Sequence, residues 1–314
     1  MSLNVSPCNR SELEAECRRV GASAMGIAPA AEVDSEARES YLKWIAQGRH
    51  GTMSYLDRYH DIRNNPEALL PQAQSVIVAV FNYFPAVTLP GNAPQFAYYA
   101  YGKDYHDVVR ARLSEVTDFM TRHWGGNHRI CVDTAPLPEK YWAVKAGVGF
   151  TGKNSLLIVP GAGSFVFIGI ILTTLRFSYD SPSEGHCASC RGCVKACPNH
   201  AILPDGTIDA TKCLSYLTIE NRGDIPEGTD MAGNVYGCDI CQKVCPHNRE
   251  CRPTAIKEFM PSPEFLSLDA DKLASMTPEQ FSAIFRKSAV KRTKHSGLIR
   301  NIRRLLDTKN VETV

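Results

Sequence analysis

The chain has 314 residues, of which 44% are apolar and 22% charged, a composition that excludes global disorder and supplies ample material for a core. Its 35 Lys and Arg against 33 Asp and Glu leave a formal charge of +2, so the overall balance points to no partner. At about 100–200 residues per domain, the length suggests roughly two domains.

The stretch from Met1 to Gly26 carries Glu12, Glu14 and Glu16 and no apolar run of the kind that opens a secretory leader, so a cytoplasmic protein is expected. Ser11 with Glu14 reads as a capping box, and Gly21 ends that helix. Tyr41, Leu42, Trp44 and Ile45 follow at helical spacing before Gly48. Ser75–Tyr83 (SVIVAVFNY) reads as a buried strand from its β-branched content. Val108, Val109, Leu113, Val116 and Phe119 mark a helix after Tyr105; Arg129–Asp133 is a short strand entering a Pro-containing loop, and Glu139–Gly147 is helical again. Ser155–Leu175 has no charge over 21 residues, yet Pro160, Gly161, Gly163 and Gly169 break it. It reads as two buried strands, 156–159 and 165–173, joined by Pro160-Gly161-Ala162-Gly163, and not as a membrane span. Gly152-Lys153-Asn154-Ser155 resembles the tail of a phosphate-binding loop, but the glycine that should open such a loop is missing.

The predicted fold class is α+β: a mixed α/β domain over 1–180, a ferredoxin-like domain over 181–251, and a short helical basic tail over 252–314. The tail holds twelve Lys and Arg against seven Asp and Glu, so it carries +5 and the rest of the chain −3.

Nine of the 12 cysteines lie between Cys187 and Cys251. Twelve cysteines without a leader point to metal binding over disulfides. Cys187-Ala-Ser-Cys190-Arg-Gly-Cys193-Val-Lys-Ala-Cys197-Pro198 fits the bacterial ferredoxin spacing, in which the fourth cysteine serves the other cluster. Cys213, then Cys238-Asp-Ile-Cys241-Gln-Lys-Val-Cys245-Pro246, repeats that ending across a long insertion. By this rule Cys187, Cys190, Cys193 and Cys245 hold one [4Fe–4S] cluster, and Cys213, Cys238, Cys241 and Cys197 the other. Zinc is the alternative, since four-cysteine zinc sites also use Cys-x-x-Cys pairs, but zinc asks neither for the third cysteine nor for Cys-Pro twice. Cys251 reads as a bystander, and Cys8, Cys17 and Cys131 as small buried hydrophobes.

Two clusters move electrons one at a time, and a free-standing ferredoxin needs only about 60–80 residues of such scaffold. The residues upstream therefore imply a site that the clusters feed. Asp133, at a strand end, suits a catalytic acid; a helix cap or turn residue is its plainer reading. Tyr98, Tyr99, Tyr101, Tyr105 and His106 form an aromatic cluster with Asp104, either a half-exposed strand before a helix or a wall for a large flat cofactor. Gly147, Gly149, Gly152 and the 161–164 segment would let backbone approach such a ligand closely.

Tyr101-Gly-Lys-Asp-Tyr-His106, Val132-Asp-Thr-Ala-Pro-Leu137, Gly147-Val-Gly-Phe-Thr-Gly-Lys-Asn-Ser155 and Gly163-Ser164 together resemble the epoxyqueuosine reductase family. Cys213-Leu-Ser-Tyr-Leu-Thr-Ile-Glu220, Tyr236-Gly-Cys-Asp239, Ser288-Ala-Val-Lys-Arg292 and Arg300-Asn301 extend the resemblance over about residues 10–305. It implies a cobalamin-dependent enzyme with two [4Fe–4S] clusters that reduces epoxyqueuosine to queuosine at the wobble position of tRNAs with a GUN anticodon. It also implies a cobalamin-binding catalytic domain similar to that of reductive dehalogenases, with the lower base off the cobalt. The family's catalytic aspartate falls on Asp133, as proton donor kept protonated by burial near the corrin. Cobalamin contacts are implied at Arg58, Tyr105, His106, Asp133, Lys153, Asn154, Ser155, Ser164 and Ser215. Ala135 replaces the family's usual glycine after Asp-Thr, and the helical-repeat region that many members carry after the basic tail is not in this sequence. Asp104-Tyr-His106 lacks the glycine of the cobalamin motif D-x-H-x-x-G, so no histidine of this chain is expected to ligate cobalt.

For tRNA, Lys287, Lys291, Arg292, Lys294, Arg300, Arg303 and Arg304 could neutralise phosphates along a stem. The plainer alternative is a solvated helix face above Leu298, Ile302 and Leu305; the two are compatible. An external electron donor and a monomer are expected. The rivals are a pure electron-transfer module, a corrinoid dehalogenase acting on a small molecule, and a flavin reductase.

Overall fold

The computed structural model describes residues 8–311; residues 1–7, the opening of the Met1–Gly26 stretch, lie outside the described residues. A four-stranded antiparallel sheet forms the centre of the first half, in the order Ala24–Pro29, Ser75–Asn82, Val166–Thr173, His128–Cys131. Ile77 pairs with Ile27 on one side and Ile171 on the other, and Ile171 with Ile130. Seven of the eight residues in Ser75–Asn82 are buried, because helices cover both faces of this strand. That double burial explains its unbroken apolar run. On one face Ile27, Ile77 and Phe81 pack under helices Arg10–Arg19 and Tyr105–Trp124, through Leu13, Cys17, Val109, Leu113 and Val116. On the other, Val76, Val78 and Ile170 meet Trp142 and Ala143 of helix Glu139–Lys145.

The uncharged stretch forms strand pieces Leu157–Ile158 and Val166–Thr173, which join different sheets. Among the described residues no helix is long and apolar enough to cross a membrane. The first helix is capped differently from the expectation: Asn9, not Ser11, is the N-cap, its side chain accepting from the backbone N–H of Ser11 and Glu12. A side-chain amide two residues earlier satisfies the free donors that the capping box would have served.

A further core joins distant parts of the chain. Phe96, Tyr101, Leu214, Val235, Tyr236, Phe285, Leu298 and Ile302 pack together. Strand Gln95–Phe96 pairs in parallel with Asn234–Tyr236. The cysteine-rich segment is thus seated on residues 89–101 of the first half. Two of its short helices, Gly192–Ala196 and Ile240–Lys243, each carry one cysteine.

Candidate functional site

Beyond strand His128–Cys131 the chain turns sharply at Asp133. Its φ is +55°, and the Thr134 N–H donates to the Val132 carbonyl at 2.6 Å. This closes a three-residue turn in the rare, strained form with a left-handed centre. The Asp133 N–H donates to Glu139 Oε1 at 2.5 Å. Its carboxylate Oδ2 accepts from the Tyr105 hydroxyl at 2.8 Å and from His106 Nε2 at 3.2 Å. His106 Nδ1 faces Asp104 Oδ1 at 2.7 Å, and Asp104 also caps helix Tyr105–Trp124. The Tyr105 ring is fixed by stacking on Phe167, 4.5 Å between centroids and 4° between planes.

Crowding by protein lowers the His106 pKa, but the carboxylates of Asp104 and Asp133 at its two nitrogens outweigh this and push it up to about 9. The imidazolium therefore donates from both nitrogens at neutral pH, and neither is left for a metal. For Asp133, crowding pushes its carboxyl up, yet the hydrogen bonds from His106 and Tyr105 and the charges of His106 and Arg292 hold it below the usual carboxylate range. The Asp133 side chain is 61% exposed and pairs with His106 at 3.2 Å. Crowding and the adjoining Asp133 charge push Glu139 the other way, up to about 8. Lys140 donates to the Ser155 carbonyl at 2.6 Å. At the rim, Arg292 grips Glu220 with two bonds of 2.8 and 2.9 Å and lies 5.8 Å from the ring centroid of half-exposed Tyr55.

The residues singled out for cobalamin divide. Tyr105, His106 and Asp133 form the cluster above, and Arg58 is exposed. Asn154 is buried and its Nδ2 makes no hydrogen bond, while its amide faces the Cys241 thiol. This places the donor beside a candidate cluster cysteine. Lys153 Nζ donates to the carbonyls of Ala188 and Cys190, and Ser155 Oγ to that of Gly206. Ser164 Oγ donates to Gln242, and Ser215 bonds to Cys213. Lys153, Ser155 and Ser164 thus join the first half to the cysteine-rich segment, and Ser215 lies within that segment. Of the glycines expected to approach a ligand, a Cβ at Gly149 would strike the Ile158 carbonyl, one at Gly147 that of Ser181, one at Gly152 the Ile158 side chain, and one at Gly163 Asn248 and Cys251, whereas one at Gly161 would meet nothing within 4 Å. Of the aromatic cluster, Tyr101 is buried and Tyr98 and Tyr99 are part-buried against the cores, so Tyr105 and His106 alone of that group reach Asp133.

The thiols feel one another in two sets. Cys193 and Cys245 interact with Cys187, and Cys245 also with Cys190. Cys213 and Cys238 interact with Cys197, and Cys241 with Cys238 and Cys213. Each Cys-Pro cysteine thus faces the set other than that of its sequence neighbours. Burial pushes Cys238 up to about 12, so a bound cation is what would let it ionise. Cys251 donates to the Ala162 carbonyl, and Cys17 and Cys131 are buried.

The basic residues also divide. Leu298, Ile302 and Leu305 are buried beneath helix Lys294–Val311. Arg300 bonds to the carbonyls of Leu217, Asn221 and Gly223, and Arg304 to that of Pro226. Lys287, Lys291, Lys294 and Arg303 are exposed.

Sequence patterns pointed to neither Glu139 nor Lys140. A glutamate opening a helix ordinarily complements the helix dipole, so only the folded turn shows what Glu139 accepts.

A family model described as "4Fe-4S double cluster binding domain" matches residues 186–248, and one described as "Epoxyqueuosine reductase QueG, DUF1730" matches residues 63–134. The epoxyqueuosine reductase of Cellulophaga algicola is 37% identical, over 96% of this chain and 99% of that protein. A crystal structure of epoxyqueuosine reductase with an epoxyqueuosine-modified tRNA-Tyr stem loop superposes with a TM-score of 0.84 at 27% identity, over 93% of this chain and 79% of that one. The Bacillus subtilis enzyme with its catalytic loop swung out of the active site superposes at 0.83, also at 27% identity, over the same shares.

Proposed function

This chain belongs to the epoxyqueuosine reductase family and is an oxidoreductase acting on tRNA, and we propose on that premise that the cluster around Asp133 delivers the proton for epoxide reduction. Overall, two electrons and two protons convert the epoxide to an alkene and water. When bound, the two [4Fe–4S] clusters would supply single electrons and cobalamin would supply the low-valent cobalt that reduces the epoxide. The exposed Asp133 carboxylate leaves room for such a group, and the buried Asn154 amide, facing the Cys241 thiol, fits a cluster held there. The opened oxygen must gain a proton as its C–O bond breaks. The proton resides on His106 in the ground state and passes across the 3.2 Å contact to Asp133, the outermost member, which hands it to the oxygen. His106 is left neutral and Asp133 returns to the carboxylate. Asp104 holds the ring, and Tyr105, pinned on Phe167, fixes the other side of the carboxylate. The modified tRNA stem loop enters from the rim where Arg292 and Tyr55 stand, with Lys287, Lys291, Lys294 and Arg303 against its phosphates. An extruded wobble base would stack on an aromatic side chain, for which half-exposed Tyr55 is suited.

The observation that carries this reading is the Asp104–His106–Asp133 chain of hydrogen bonds ending on an exposed carboxylate. The test is turnover of epoxyqueuosine-modified stem loop by the cobalamin-loaded protein and its Asp133→Asn variant. The variant keeps cofactor and clusters and loses turnover; equal turnover would remove Asp133 from the reaction.

A further inference from the structure

The turn that presents Asp133 is strained, and one side chain from outside the turn holds it. Residue 133 carries a Cβ in the left-handed region, which L-residues rarely adopt. The three-residue turn leaves the Asp133 N–H pointing away from its own loop, which runs Thr-Ala-Pro-Leu-Pro and closes a second tight turn from Leu137 N–H to the Ala135 carbonyl at 2.8 Å. The acceptor waiting for that N–H is Glu139 Oε1. Glu139 opens helix Glu139–Lys145, which is anchored in the core by Trp142 and Ala143, both buried, so this acceptor stands on a rigid element. Strain of this kind persists only where the surroundings fix it.

We propose that Glu139 is the positioning residue for Asp133: by accepting the backbone N–H of residue 133 it locks the left-handed turn that aims the Asp133 carboxylate at His106 and Tyr105. The lock works through Asp133, so its effect on turnover rests on the proton-delivery reading above. Its effect on the turn does not. Without the lock the loop relaxes toward ordinary φ, and the carboxylate leaves the two donors.

Hydrogen exchange at the backbone amide of residue 133, measured in the cofactor-free protein, reads the lock directly. Glu139→Ala removes the acceptor and should speed exchange there by about 3- to 10-fold, the scale of one hydrogen bond. Glu139→Asp withdraws the acceptor by one methylene and should behave like the alanine variant, which covers the case in which alanine disturbs folding. Glu139→Gln keeps an acceptor in place and should stay close to wild type. In the cobalamin-loaded enzyme, Glu139→Ala should lower kcat with KM for the modified stem loop little changed, and should add no further loss to Asp133→Asn. Unchanged exchange in the alanine and aspartate variants, or a glutamine variant as fast as alanine, overturns the lock. A kcat loss that adds in full to that of Asp133→Asn also overturns it, because Glu139 would then act independently. Normal turnover of Asp133→Asn overturns the proton-delivery reading alone and leaves the exchange result to decide the lock.

Discussion

The proton at Asp133 is a matter of three neighbouring side chains. General acid catalysis is typically worth 10²- to 10⁴-fold, so Asp133→Asn should slow the single-turnover rate by about that factor. His106 carries a pH signature of its own. Its folded pKa of about 9 lies above the unfolded value of about 6.5, so folding favours its charged form. The stability it contributes is fully present below about pH 6.5 and is lost as pH rises through 9. Urea denaturation of the cofactor-free protein at several pH values from 6 to about 9.5 measures this, and His106→Gln should show a shallower loss than wild type. Parallel curves would mean that the imidazolium is not held by its two carboxylates. The position of Asp133 was legible through its motif, but its charge state was not. Sequence placed it beside a corrin, where burial would dominate. The fold places His106 and Tyr105 against its oxygen, and two donors outweigh the crowding. Glu139 was illegible because its partner is a backbone N–H freed by a turn that no residue type announces.

At the scale of elements, the helix Lys294–Val311 holds two kinds of arginine. Arg300 is part of the structure, its guanidinium saturated by backbone carbonyls near the end of helix Leu214–Ile219. Arg300→Ala leaves those carbonyls without their donor and should cost about 1–3 kcal/mol of stability by chemical denaturation. A change within error would show that water replaces the guanidinium freely. Lys287, Lys291, Lys294 and Arg303 are exposed and are the residues for phosphate. Reversing Lys291 and Arg303 to glutamate should flatten the dependence of log K for stem-loop binding on log salt by about 0.7–0.9 for each phosphate no longer neutralised, with melting unchanged. An unchanged slope would assign the face to plain solvation. The apolar stripe Leu298, Ile302, Leu305 was readable from helical spacing, and so was the strand at Ser75, because both patterns are local. Which arginines turn inward was not readable, since Arg300 answers to carbonyls about 80 residues away in sequence.

Across the whole molecule, the cysteine sets decide how the halves connect. If Cys197 belongs with Cys213, Cys238 and Cys241, Cys197→Ser should damage that cluster and leave the Cys187 cluster intact. Iron analysis and electron paramagnetic resonance of the anaerobic variant would show about one cluster retained. Cys245→Ser should spare the opposite one, giving a distinct residual spectrum. Identical residual spectra would refute the crossed assignment. The crossed assignment is read from the ferredoxin spacing alone. The seat of this segment on Phe96, Tyr101 and the helical tail was not legible, because the parallel pairing of Gln95–Phe96 with Asn234–Tyr236 joins stretches that show no mutual pattern in sequence.

The central claim is that this protein reduces epoxyqueuosine in tRNA through a proton held between His106 and Asp133. The most direct measurement is mass analysis of the nucleosides released from epoxyqueuosine-modified stem loop after a single turnover with anaerobic, cobalamin-loaded protein, wild type beside Asp133→Asn. The account predicts conversion to the nucleoside lighter by one oxygen atom in the wild type and a rate lower by about 10²- to 10⁴-fold in the variant. An unaltered nucleoside with the wild type, or equal rates from both proteins, would contradict it.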